Sequence, residues 1–207
     1  MKGNPARAVV SLVGGCMLVG VAGMAMATPL DSDQVDINVT IDPLAPVGAL
    51  TMTVAADSTS LTEVPSSDPA LRQFDGTLPV VTVSDDRPVV PENVYWYVTG
   101  QSSAFTSPGL EDLPAGQLGW RPRLLTPSSG EVTAGDEVVT VLDAPSSPGN
   151  NVGLVSEELL ASSLDSGLAH LTGSWDADAD LFLKTSADVA PGAYQAMLTL
   201  SLWEIGY

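Results

Sequence analysis

Three aspartates alternate near the end of the chain: Asp176, Asp178 and Asp180. Carboxylate oxygens are hard ligands that suit Ca²⁺, so calcium binding is the first chemistry to weigh. An EF-hand loop beginning at Asp176 would need glycine in sixth place and glutamate in twelfth. Leu181 and Ala187 stand there instead. On a strand the three side chains share one face, neighbours about 6–7 Å apart, and the reading favours a solvated strand face. His170 is the one histidine, so a multi-histidine zinc site cannot form. No G-x-S-x-G elbow accompanies it, and His170 reads as an ordinary strand-edge residue rather than part of a triad. No cofactor is expected: there is no glycine-rich phosphate loop and no basic patch. Tyr95, Tyr97, Trp120 and Trp203 are the candidate ligand-binding residues, as a platform for sugar rings. The competing reading puts Trp96, Trp175 and Trp120 in the core.

Composition narrows the partners. The 207 residues carry 25 Asp and Glu against 7 Lys and Arg, a formal charge of −18. Residues 1–27 have a short positive start (Lys2, Arg7), an apolar run from Ala8 to about Met24, and Ala25-Met26-Ala27 before Thr28. That order is expected of a cleaved secretory signal. Val13-Gly14-Gly15-Cys16 loosely matches a lipoprotein box, but the apolar run continues well past Cys16. With cleavage before Thr28 the remaining chain has no cysteine, and 5 basic residues face 25 acidic ones. Such a protein repels phosphate backbones, so nucleic acid is excluded as a partner, and no membrane association is expected after cleavage. A chain without disulfides must be held by its core alone.

The rest of the chain reads as one domain, residues 28–207. Alternation marks strands at Val35–Ile41, with a sequon at Asn38, and at Leu50–Val54. Further β-prone runs are Leu71–Asp75, Leu78–Ser84, Val94–Gly100, Leu118–Pro122 (an edge strand, given its proline) and Val138–Leu142. Leu154, Val155, Leu159, Leu160 and Leu164 approximate a 3.6-residue period and predict the one helix. The end of the chain predicts a hairpin: Ala179–Thr185, a type II turn at Pro191-Gly192, and a long strand Ala193–Trp203. That last strand is expected inside the sheet, with Leu198 and Leu200 in the core. Eight to ten short strands and one short helix make an all-β protein, a single antiparallel β-sandwich.

Three pieces together resemble a known family: LPVVTVSDDRP followed by VYWYVTGQSSAF, LGWRPRL, and VAPGAYQAMLTLSLW. Their order is similar to that of the WxL domain, a secreted β-rich module of Gram-positive surfaces, here in a divergent actinobacterial-type form. The pattern departs at both W-x-L positions: Trp96-Tyr97-Val98 has valine for leucine, and Leu200-Ser201-Leu202 precedes the last tryptophan, Trp203. The resemblance implies a non-catalytic, cell-wall-associated protein whose partners are peptidoglycan or wall polysaccharide and other surface proteins. Two other functions are weighed beside it: a structural subunit that assembles through edge-strand pairing, and a secreted hydrolase using His170 or paired carboxylates.

Overall fold

The computed structural model describes residues 48–206. The export segment 1–27, Cys16, the Val35–Ile41 strand and the Asn38 sequon lie outside the described residues. The longest strand is β9, Ser174–Ser186, and the larger sheet is built around it. Its alternation works as a strand's should: Trp175, Ala177, Ala179, Leu181 and Leu183 are buried, while Asp176, Asp180, Phe182 and Lys184 are partly exposed on the other face. Along one side, β4 (Val81–Asp85) pairs with the first part of β9 and β3 (Leu71–Thr77) with the second. Beyond them lie β1 (Leu50–Val54) against β4 and β2 (Thr62–Val64) against β3. On its other side β9 pairs with β6, Leu118–Leu124.

The second sheet runs β10-β5-β8-β7, with β5 at Val94–Ser102, β7 at Val132–Ala134, β8 at Glu158–Ser163 and β10 at Leu198–Gly206. All pairings are antiparallel. The protein is therefore an all-β, two-sheet sandwich. Its core joins both sheets through Val81, Trp96, Val98, Trp120, Leu160, Trp175, Ala179 and Leu181. Trp120 of β6 fills the gap between the layers, and β5 makes room for it with Gly100. A Cβ on Gly100 would lie 2.7 Å from the indole Cη2, so only glycine fits there.

Four expectations are corrected. The stretch 154–164 is not a helix. It forms a 3₁₀ turn at Gly153–Val155 and then strand β8. The register of β5 against β8 jumps from Val98↔Ala161 to Thr99↔Leu159, leaving Leu160 as the extra residue of a β-bulge. A bulge lets two successive residues, Leu160 and Ala161, both turn inward, which imitates a helical stripe in sequence. Val155 and Leu164, expected on that stripe, are 51% and 64% exposed. The only α-helix among the described residues is α1, Ser166–His170, capped by the Asp165 carboxylate accepting from Leu168 N.

Nor do the last two strands form a hairpin. β9 and β10 belong to different sheets, and residues 187–197 cross between them. Gly192 does not take positive φ, so no type II turn forms. Its lack of a side chain instead admits Leu110, whose Cδ1 would be 2.4 Å from a Cβ there. β10 begins at Leu198 and, among the described residues, is an edge strand rather than an interior one. Leu198 and Leu200 are only half-buried and pack against the rim of the core. Val138–Leu142 is not a strand either; Val138 makes an isolated bridge with Trp120, and a turn follows.

Candidate functional site

Strand β5 carries the sequence Val94-Tyr95-Trp96-Tyr97-Val98. Trp96 and Val98 turn into the core at 1% exposure, so the pleat sends Tyr95 and Tyr97 to the outer face. The β10 register then sets Trp203 opposite Tyr97 and Ile205 opposite Tyr95. The rings of Tyr97 and Trp203 stack with centroids 6.3 Å apart and planes at 19°. Tyr95 continues the row, 6.2 Å from Tyr97 and tilted by 30°. Trp203 donates from Nε1 to the Thr99 hydroxyl at 3.2 Å, which fixes the indole over β5 while leaving it 42% exposed. Three of the four predicted binding residues thus form one aromatic rail. The fourth does not join it: Trp120 is fully buried between the sheets. The reason is its strand. β6 pairs with β9 in the opposite sheet, and its tryptophan faces inward.

An ion-pair clamp holds the far end of this rail. Arg87, at the turn after β4, donates to Asp85 from Nε (2.8 Å) and Nη2 (2.7 Å). The same guanidinium donates to Glu204 of β10 from Nη1 (3.0 Å) and Nη2 (2.9 Å). One arginine therefore ties the two sheets together beside Trp203. Such two-oxygen pairing is the strong, orientation-fixing form of the ion pair. Burial of Asp85 works to raise its pKa; the hydrogen bonds and charge of Arg87 outweigh that and hold the carboxyl below its ordinary value. Arg87 is pushed up in return by its bonds to Asp85 and Glu204. His170 is not on a strand. It ends α1 with Nδ1 3.7 Å from Asp85 Oδ1, and among the described residues no serine stands within hydrogen-bonding reach of that nitrogen.

The aspartates of β9 are not a free solvated face. Strand β6 sets Arg123 opposite Asp178 and Arg121 opposite Asp180. Arg123 meets Asp178 through two bonds of 2.9 Å each, and its Nη1 lies 2.8 Å from Asp180. Asp178 is only 6% exposed. Asp176 accepts from the Thr82 hydroxyl at 2.6 Å. Further along, Lys184 pairs with Asp143 and Arg121 with Glu137. Among the described residues no cluster of three acidic, histidine or cysteine side chains is arranged to hold a metal ion.

The clamp and the arginine ladder are the parts the sequence reading missed. The ladder left a signal: Arg121-x-Arg123 has the same two-residue spacing as Asp178-x-Asp180, the pattern that antiparallel neighbours need. The Arg87–Glu204 pair left none, because 117 residues separate its partners. No protein-family model, no curated protein and no solved structure matches this chain.

Proposed function

We propose that this is a secreted, non-catalytic cell-surface protein that binds the cell wall non-covalently, peptidoglycan glycan being its ligand, as the WxL-like resemblance implies. The observation that carries the reading is the Tyr95–Tyr97–Trp203 rail. Pyranose rings have apolar faces that pack on aromatic rings, and three rings in a row offer successive contacts to a linear polysaccharide. The rings are pre-positioned by the β5–β10 register and by the Arg87 clamp, so little ordering is spent on binding. The non-catalytic part draws support from the carboxylates near His170 and along β9, which are engaged by arginine rather than poised for proton transfer.

The acidic balance, 5 basic against 25 acidic residues after residue 27, adds a sign to the expectation. Anionic wall polymers would repel this protein, so its affinity is for the neutral glycan beneath them. Purified protein lacking residues 1–27, incubated with isolated Gram-positive walls, is expected to be retained more on acid-stripped walls than on intact ones. On intact walls, raising salt from low to physiological strength improves retention by screening the repulsion. Tyr97→Ala and Trp203→Ala abolish retention on stripped walls. Retention of both variants at the level of the unmodified protein would overturn the proposal.

A further inference from the structure

Beyond the rail, β10 presents a second recognition surface. It is nine residues long and, among the described residues, lies at the end of its sheet and pairs with β5 alone. Ser103 N donates to Met197 O at 2.8 Å, and the register continues unbroken from Leu198↔Ser102 to Gly206↔Val94. Antiparallel ladders alternate bonded and non-bonded pairs, so the odd-numbered residues of β10 bond to β5. The N–H and C=O groups of Leu198, Leu200, Leu202, Glu204 and Gly206 therefore point to the open edge. Proteins blunt such edges with lysine, proline or extreme shortness. Among the other outer strands, β2 and β7 have three residues each, β6 carries Arg121, Pro122 and Arg123, and β1, LTMTV, is unblunted by charge but is only five residues long. β10, LTLSLWEIG, has no lysine or proline, and its one charge, Glu204, is held by Arg87 near the end of the strand.

A second, independent observation lies under the same strand. The inner side chains Leu198 and Leu200 form one wall of an open cavity of about 1170 Å³ between the two sheets. Met52, Phe74, Leu181 and Leu183 form the opposite wall. That cavity is why these two leucines are half-buried rather than core residues.

The geometry points to β10 as a docking edge for an extended polypeptide strand of a partner protein, with apolar side chains at every second position and no net negative charge. Each feature of the occupant has its own ground. A row of alternating N–H and C=O groups is matched by another peptide backbone, not by a glycan or a lipid. Alternating apolar side chains of an added strand would enter the cavity beside Leu198 and Leu200, as in strand addition generally. A second copy is disfavoured because it would bring together two chains that each carry 5 basic against 25 acidic residues after residue 27. The docking edge is separate from the glycan rail, which uses the outer face of β5 and β10.

The test uses the full chain lacking only residues 1–27, and a synthetic peptide, Lys-(Val-Thr)₄-Lys. A control peptide of the same sequence carries an N-methyl group on every residue between the two lysines, which removes the donors of both strand edges and keeps the side chains. Saturable binding that slows amide exchange at Leu200, Leu202 and Glu204 by about tenfold or more is expected. The N-methylated peptide is expected to give no protection. Leu202→Pro, which deletes one edge donor without touching the β5 ladder, weakens binding while the tryptophan fluorescence of the folded state persists. Equal binding of the N-methylated peptide would overturn the inference. So would absence of binding, protection of these amides in the peptide-free monomer, or their protection through dimerisation in sedimentation measurements.

Discussion

The outer faces of the two sheets differ in how their side chains are used. On the β9 sheet, Arg121, Arg123 and Lys184 meet Asp180, Asp178 and Asp143, so charges satisfy one another within the molecule. On the β5–β10 sheet the corresponding face carries Tyr95, Tyr97, Trp203 and Ile205. A paired charge has little left to offer a ligand, since binding would first have to break the pair. An exposed aromatic stack keeps its ring faces open. The contrast teaches that the conspicuous residues were the less available ones: the alternating aspartates hold two strands together, while the tyrosines and Trp203 face outward.

The largest test of that contrast sets two tryptophans against each other. Trp120→Ala opens a cavity at the centre of the sandwich and is expected to cost about 3–5 kcal/mol. Against a total of about 5–15 kcal/mol for such a domain, and with no disulfide to compensate, this brings the protein close to unfolding. Trp203→Ala loses a surface stacking contact and the hydrogen bond to Thr99, about 2 kcal/mol together. Urea denaturation measures both. Equal losses would mean that Trp203 is structural and the rail a packing feature.

Next comes the charged face. Asp178→Ala leaves Arg123 without its main partner, but the Arg123 head is 44% exposed and water takes up part of its charge. The expected cost is about 1–2 kcal/mol, below that of breaking a fully buried pair. Wall retention of this variant should equal that of the unmodified protein. A fall in retention without unfolding would show that the β9 face also takes ligand.

The smallest effect is in acid. Asp85 has its carboxyl held below the ordinary value, with burial opposing and Arg87 winning. A depressed carboxylate stabilises the fold above the unfolded value of about 3.9 and loses that contribution as pH falls through its lower folded value. The melting temperature should therefore decline below about pH 4, and Asp85→Asn should flatten that part of the decline. An unchanged slope would show that the clamp is not what acid breaks.

Much of this was legible in the chain itself. Alternation located β1, β5 and β9, β-prone composition located β3 and β4, and the alternation of β5 gave the facing of Trp96 against Tyr95 and Tyr97 correctly. It went wrong where a bulge interrupts the alternation, at Leu160. It also went wrong at Pro191-Gly192, where turn-forming residues serve a crossing segment packed against Leu110. Of the four candidate residues, Tyr95, Tyr97 and Trp203 share one face, and Trp120 lies in the core instead, because an aromatic residue on a strand carries no mark of which side is solvent.

What the sequence determined by itself is local: which residues extend, and which side chains share a face. Both follow from the two-residue period of a strand, which needs no knowledge of a partner. Only the tertiary structure decided that β9 and β10 lie in different sheets, that β10 is an edge, and that Trp203 lies beside Tyr97. These depend on pairing between residues about 100 positions apart, Trp203 with Tyr97 and Glu204 with Arg87. The physical reason is that backbone hydrogen bonds are the same for every residue. The choice of neighbour comes from packing the whole core, where Trp120 fits only against Gly100 and so sets how the two sheets meet.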